Sequence, residues 1–381
     1  MVYPPLQQVR QSLRVKWYRC PIETSLLHTL LQRSDRQGWL QAGGHLALWL
    51  TTASLTYLCW SKQWWVPMVA ALYAHGIVSS FFVGVAPHEL GHGTVFKTPW
   101  LNRVFLYGFS FISWWDPFDY ASSHTYHHRY TLHPQGDREN LLPLAPNTEP
   151  TFLLQMLSVN LFTSKGRTFG KGGLISTIGL TVLGALGKTG NTSIPGNEWL
   201  AALHDDQPLE HKKSIWWSRC LLAGHGLLTV VAITTGQWLL ICIVSLPSFV
   251  ANIVAYAVGM TQHCGLKQND SDFRKSVRSI RINGVLEFLY WRMNWHTEHH
   301  MFAGVPCYNL KKLHNAVADN MPEPRSLANA WREMLDTWQR QQNDPSYFYD
   351  TPVPQQIRKR PGAESAAEAQ SIGELAPRGL R

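Results

Sequence analysis

Polar and apolar positions divide the chain into alternating blocks. Residues 1–42 are polar and basic, and the run Glu23 to Arg33 predicts a short amphipathic helix lying on a membrane surface. From Gly43 to Trp60 the chain is apolar for about 18 residues, near the minimum for a helix crossing ~30 Å of hydrocarbon. Only Ser61, Lys62 and Gln63 separate it from a second apolar run, Trp64 to Pro87, so the pair predicts a transmembrane hairpin. A second hairpin is predicted from Ile215–Thr235 and Trp238–Met260, joined by Gly236-Gln237. Between the hairpins, Leu101 to Trp115 is apolar but only about 15 residues long, which suits an interfacial or re-entrant helix. Gly166 to Gly190 is glycine-rich and semi-apolar and fits either a surface helix or a flap. Leu266 to Gln341 is polar with helical periodicity, and 361–381 reads as a disordered tail. The expected fold is all-α: an integral membrane protein with four transmembrane helices as two hairpins beneath a helical cap. Its expected segments are 1–42, a membrane domain 43–360 with spans near 43–60, 64–87, 215–235 and 238–260, and the tail 361–381.

Two hairpins return the chain to the side on which it starts. Arg10, Arg14, Lys16, Arg19, Arg33 and Arg36 precede the first span, whereas the hairpin tips hold only Lys62, so the positive-inside rule makes the starting face cytoplasmic. The net charge of +9 follows from such flanks, and no nucleic-acid-binding motif accompanies it. Composition alone is neutral: 45% hydrophobic and 15% charged residues fit a soluble or a membrane class. A mean hydropathy of −0.15 averages long polar segments with the apolar runs. Many of the 17 tryptophans collect at the edges of those runs, as an interfacial belt does. Six cysteines show no CxxC spacing, which argues against a zinc ribbon or a disulfide frame. No apolar stretch follows the N-terminal arginines, so a cleaved secretory signal is not expected.

The chemistry lies in the histidines. His124, His127 and His128 form one HxxHH run, His296, His299 and His300 form another, and His88 and His92 bracket HELGH. Positions i, i+3 and i+4 share one helix face, so each run aims its imidazoles together. All three runs, with His263 after the second hairpin, fall on the cytoplasmic side of the expected topology. Several neutral imidazoles packed together without metal would leave donors and lone pairs unpaired, so the set points to metal. HELGH by itself matches HExxH, in which two histidines bind zinc and the glutamate activates water, so a membrane-embedded zinc metalloprotease is the rival reading. That rival leaves the remaining histidines unexplained.

The runs, the later Gln262-His263, and the continuation from Thr297 through Met301-Phe302 and Val305-Pro306 to Leu313-His314 resemble the membrane fatty acid desaturase and hydroxylase superfamily, over roughly residues 40–320. The resemblance implies two iron ions held by nine ligands: His88, His92, His124, His127, His128, His263, His296, His299 and His300. Neutral imidazole suits iron. Some relatives add an asparagine four residues before the histidine matching His263; here Gly259 stands there, which leaves a tenth ligand of that kind in doubt. Glu89, Asp116, Asp119, Asp137 and Glu298 are candidates to orient imidazole N–H groups, with capping or surface roles as the alternative. His75 and His225 are expected to bond within the helix bundle, His133, His204 and His211 to stay outside the site, and His314 to support it. The implied activity is O2-dependent desaturation or hydroxylation of an unactivated C–H bond in a fatty acyl lipid or a lipophilic specialised metabolite. Desaturation supplies two of the four electrons that reduce O2 to water. The absence of flavin, NAD and HPGG haem motifs then implies a separate donor, cytochrome b5 or a ferredoxin. The expected location is a multi-pass position in the endoplasmic reticulum of a eukaryote or the inner membrane of a bacterium.

Overall fold

The computed structural model describes residues 3–163 except 141 and 143, then 172–189 and 197–354. Helix dominates; among the described residues, strand is confined to Ile280–Arg281 and Arg325–Ser326, which pair in parallel. The expected tail 361–381 and the first part of Gly166–Gly190 lie outside the described residues. The latter's described part, residues 172–189, contains the helix Leu174–Ala185.

The first apolar pair forms the helices Gly44–Ser61 and Trp65–Ser80, packed along their length. Their polarity is inverted relative to a soluble hairpin. Trp49 Nε1 donates to Ser79 Oγ at 3.0 Å, Thr52 Oγ1 meets His75 Nδ1 at 2.8 Å, and His75 Nε2 meets the Ile243 carbonyl at 2.9 Å, all buried. Leu50, Leu55, Val66 and Val69 point outward, Val66 with 82% of its surface exposed. Polar groups inside and apolar groups outside are what hydrocarbon favours, because a hydroxyl facing lipid would find no partner. The helix Pro208–Thr234 repeats the arrangement, burying Ser214, Ser218 and His225 while exposing Leu227, Val230 and Ile233. His225 is sandwiched between Phe111 and Trp114 and bonds to Ser245 Oγ and the Phe111 carbonyl, so both span histidines are satisfied by neighbouring helices.

Two stretches, Trp65–Gly91 and Pro208–Thr234, are long and apolar enough to cross a membrane among the described residues. The fourth expected span is not a continuous helix. Residues Ile241–Ser245 form a π turn, Pro247–Phe249 a 3-10 turn, and only Ile253–Gly259 returns to α-helix. Pro247 has no N–H and crowds the preceding turn, and Ala251 takes a left-handed φ of 52°. The freed backbone groups find partners: Phe249 O accepts from Asn160 N at 2.8 Å, Ala251 N donates to Ser158 O at 2.9 Å, and Ser245 O accepts from Trp114 Nε1 at 2.8 Å. Irregular backbone is tolerated at membrane depth only with such compensation.

Other boundaries also move. Trp64–Pro87 breaks after Ser80, and Gly84 at φ 77° opens a new helix, Val85–Gly91, that carries HELGH. The 215–235 span begins earlier, at Pro208, where proline suits a first helical turn. Leu101–Trp115 is the helix Pro99–Ile112, with Phe105, Leu106 and Phe109 buried in the main core. The amphipathic stretch at Glu23 becomes the helix Thr24–Leu30, whose Leu27 and Leu30 pack into that same core rather than onto a membrane surface, and Leu30 O accepts from Asn309 Nδ2.

The broken segment is seated on Gly76, where an added Cβ would lie 2.6 Å from Val250 O and 2.7 Å from Val250 Cβ. Gly→Ala inside a helix ordinarily stabilises it by up to about 1 kcal/mol. At Gly76 the clash reverses the sign, and Gly76→Ala is expected to destabilise by roughly 1–3 kcal/mol. Gly226→Ala, in a helix position with nothing within 4 Å, is the control and is expected to be neutral or stabilising. Thermal unfolding in detergent checks the pair; equal midpoints would remove the proposed contact.

Candidate metal centre

Four local structures carry the nine histidines. His88 lies in Val85–Gly91 and His92 caps its C-terminus. His124, His127 and His128 lie in the helix Pro117–Tyr130, which starts where Asp116 caps the Phe118 and Asp119 N–H groups. His296, His299 and His300 lie in the helix His296–Met301. His263 sits in the turn after Ile253–Gly259. That turn is stapled by the buried Arg278, which donates to Thr261 O and Cys264 O and pairs with Glu333 at 2.6 Å.

These side chains gather into two groups. One contains His88, His92, His124, His128 and His299; the other contains His127, His263, His296 and His300. In each HxxHH run the first and last histidines serve one group and the middle one serves the other. Residues i and i+4 lie nearly above one another, while i+3 is rotated toward the adjacent face. The two runs face each other and contribute in opposite senses: His124 and His128 join His299, whereas His296 and His300 join His127.

The Nε2 atoms converge. In the first group His88 and His299 are 2.7 Å apart, His128 and His299 3.2 Å, and His92 and His124 3.2 Å. In the second, His263 and His296 are 3.0 Å apart, and His296 and His300 3.2 Å. Outward-facing Nδ1 atoms fix the tautomers. His124 Nδ1 faces Glu139 Oε2 at 2.6 Å, His127 Nδ1 faces Asp137 Oδ2 at 3.0 Å, and His263 Nδ1 faces the Ser276 carbonyl at 3.0 Å. A carbonyl or carboxylate accepts, so these Nδ1 atoms carry the hydrogens and turn their Nε2 lone pairs inward. That donor set fits a cation. Two nitrogens bound at right angles, each ~2.1 Å from one ion, lie about 3.0 Å apart, whereas a tetrahedral pair lies about 3.4 Å apart. The observed spacings, 2.7–3.2 Å, all fall short of the tetrahedral value.

Electrostatics keeps most of the set neutral. Burial, then the repulsion of neighbouring imidazoles, holds His124, His296, His299 and His300 well below the usual histidine range. Burial lowers His92 to about 4, and burial with the neighbouring His127 lowers His263 to about 3. His127 departs from this pattern: burial opposes its charge, but Asp137 and then Glu139 raise it. Burial pushes the Glu139 carboxyl up to about 7.

Of the carboxylates singled out in the sequence, Asp137 alone contacts one of the nine imidazoles within hydrogen-bond geometry among the described residues. Its oxygens also accept from the Leu132, Glu139 and Asn140 N–H groups. Asp116 is a helix cap that also accepts from Ser214, and Asp119 pairs with His204 at 2.9 Å. Glu298 faces away, accepting from Ser279 Oγ and meeting His314 Nδ1, both at 2.6 Å, so it anchors the helix rather than an imidazole of the site. Glu89 is fully buried, 3.4 Å from His299 Nδ1, and neither oxygen has a hydrogen-bond partner. Sequence reasoning missed Glu139, Tyr120, whose hydroxyl meets His88 Nδ1 at 2.9 Å, and Thr131, which meets His300 Nδ1 at 3.1 Å. Glu139 had a signal: it lies two residues past Asp137 in the same turn. His133, His204 and His211 stay outside both groups.

A family model described as fatty acid desaturase matches residues 62–329, more than two-thirds of the chain. No curated protein matches it.

Two outcomes follow from this geometry. Asp137→Asn and Glu139→Gln are expected to weaken metal binding by roughly 10–100-fold, read by competition with a chelator, and unchanged affinity in both would refute the orienting role. The second concerns pH. His92 near 4 and His263 near 3 lie below the 6.5 of an unperturbed histidine, so between these values the unfolded chain binds more protons than the folded one. Stability of the metal-free protein is therefore present above about 6.5 and is lost as pH falls toward 3. Unfolding midpoints of stripped protein from pH 8 to 4 should show this decline, and a flat profile would contradict it.

Proposed function

The chain belongs to the fatty acid desaturase family, and on that premise we propose that it is a membrane-bound, O2-dependent diiron oxidoreductase. Its reaction is desaturation or hydroxylation of an unactivated C–H position in a fatty acyl lipid or lipophilic metabolite. The observation that carries this reading is the sharing of each HxxHH run between two groups of converging Nε2 atoms. His88, His92, His124, His128 and His299 would hold one iron, and His127, His263, His296 and His300 the other.

When bound, the metal pair supplies reduction of O2 and removal of hydrogen from carbon, with two electrons from the substrate and two from a separate cytochrome b5 or ferredoxin. The chain's own contributions are orientation and exclusion of water. Asp137, Glu139 and the Ser276 carbonyl hold imidazole Nδ1–H groups so that lone pairs stay aimed. Burial lowers His92, His124, His128, His263, His296, His299 and His300, so these imidazoles stay unprotonated for metal near neutral pH. Glu333 and Arg278 hold the turn that presents His263, the one ligand outside the three runs.

The zinc protease reading is not favoured. His88 and His92 share their group with three more histidines, which leaves no tetrahedral position for an attacking water. Outward apolar faces on Gly44–Ser61, Trp65–Ser80 and Pro208–Thr234 support a multi-pass membrane domain over 43–360. In this reading 238–260 completes the second hairpin as an interrupted span, and residues 1–42 lie with the site on the cytoplasmic face. The same apolar faces favour a substrate that arrives from the bilayer.

Metal analysis of detergent-purified protein tests the proposal: about two irons per chain are expected, falling on replacement of any of the nine histidines. Nearly stoichiometric zinc with little iron, after growth in iron-sufficient medium, would overturn it. Product analysis by mass spectrometry, wild type against His296→Ala, should show an oxidised lipophilic product only with wild type.

A further inference from the structure

The N-terminal segment packs beside the histidine groups through Trp17, which contacts Phe273, the Arg129 carbonyl and the ring of His133. Trp17 is partly exposed, and its ring stacks on Phe273 with centroids 4.0 Å apart and planes within 8°. Phe273 is buried, and its ring centroid is 5.4 Å from that of His300. Two ring-to-ring steps therefore connect the surface to the group containing His300. A second link leads to the other group: Trp17 Nε1 donates to the Arg129 carbonyl at 2.9 Å, and Arg129 directly follows His128.

The surface around Trp17 is basic. Arg14, Lys16 and Arg129 are exposed and have no ion-pair partner among the described residues. The nearby acids are already engaged: Asp272 with Arg274 at 2.7 Å, Asp270 with Lys267 at 3.3 Å, and Asp350 with Lys275 at 3.1 Å. Unpaired positive charge around a partly buried aromatic suits a transient partner steered by its own negative charge.

We propose that this face docks an acidic one-electron carrier protein, and that Trp17 and Phe273 form its conduit to the metal pair. The inference rests on the diiron reading above. In each encounter the carrier's reduced centre loses one electron and the metal pair gains it. Two encounters supply the two electrons that the substrate does not. The stacked rings conduct without changing their own bonding. An anionic bilayer surface would also attract Arg14 and Lys16, but it would not call for a conjugated side chain stacked on Phe273, the ring next to His300.

The test uses full-length, iron-loaded protein in nanodiscs of neutral lipid. The probes are a soluble cytochrome b5 haem domain and a plant-type [2Fe–2S] ferredoxin, assayed separately to identify which carrier fits. Arg14→Glu with Lys16→Glu should weaken carrier affinity by roughly tenfold and flatten its dependence on salt. Trp17→Leu should slow reoxidation of the bound carrier by roughly tenfold at unchanged Kd, with Trp17→Phe restoring much of the rate. Iron content and anaerobic reduction of the iron by dithionite should be unchanged in all three. Unchanged affinity in the charge-reversed pair, or a loss confined to binding of anionic vesicles, would overturn the docking face. Wild-type reoxidation in Trp17→Leu would overturn the conduit. If Trp17→Leu sheds iron, Trp17 is a structural cover and the conduit fails, while the charge pair, which touches no core packing, still decides the docking face. A wild-type protein that takes up no iron fails the diiron reading instead, which keeps the two failures distinct.

Discussion

Inward-facing imidazole lone pairs are the constraint on which the architecture depends. Nine histidines crowd until neighbouring Nε2 atoms are about 3 Å apart, in a region where burial disfavours protonation. Such an arrangement is unfavourable unless something positive sits among the nitrogens, and it persists only if the surrounding groups leave the rings no other orientation. Those groups are supplied from several directions. Asp137 and Glu139 come from the loop after the first HxxHH helix, Tyr120 from one turn earlier in that helix, and the Ser276 carbonyl from the segment packed beneath His263. Glu298 bonds outward to His314 and Ser279 and so fixes the rotation of the second HxxHH helix.

The apolar helices follow a different logic with the same consequence. Their polar residues turn inward and bond to one another, and their leucines and valines turn outward. This stiffens the scaffold under the site, because each Thr, Ser or His contact is made where water does not compete. The interruption at Pro247 belongs to this scheme. Its carbonyls and N–H groups are taken by Asn160, Ser158 and Trp114, so a segment that cannot be helical still joins the bundle.

Much of the site was legible in the sequence, since i, i+3, i+4 spacing is local and helical geometry is fixed. All nine residues expected at the site come together. Their division into five and four was not legible, because it depends on how two helices are rotated against each other. Glu139, Tyr120 and Thr131 escaped for a related reason: an Nδ1 partner is chosen by tertiary contact, and Glu298, which looked equally suitable, faces elsewhere, while Glu89 lies beside His299 without a hydrogen bond to it. Among the apolar runs, hydropathy located the helices but hid their ends. Pro208 marked the true start of one helix and Pro247 the break in another, and each is a backbone effect that an average over apolar side chains does not register. The Glu23 stretch is amphipathic in sequence, but its apolar side packs on protein, through Leu27 and Leu30.

The crossing of each HxxHH run between both groups has a further consequence. In the proposed diiron reading one short helix would supply ligands to two ions, so the first ion to bind would fix the rotation that the second requires. Loading would then be positively cooperative, with each site's affinity raised by occupancy of the other. A half-filled chain would be a scarce species at any iron supply, and a population short of iron would divide into full and empty molecules.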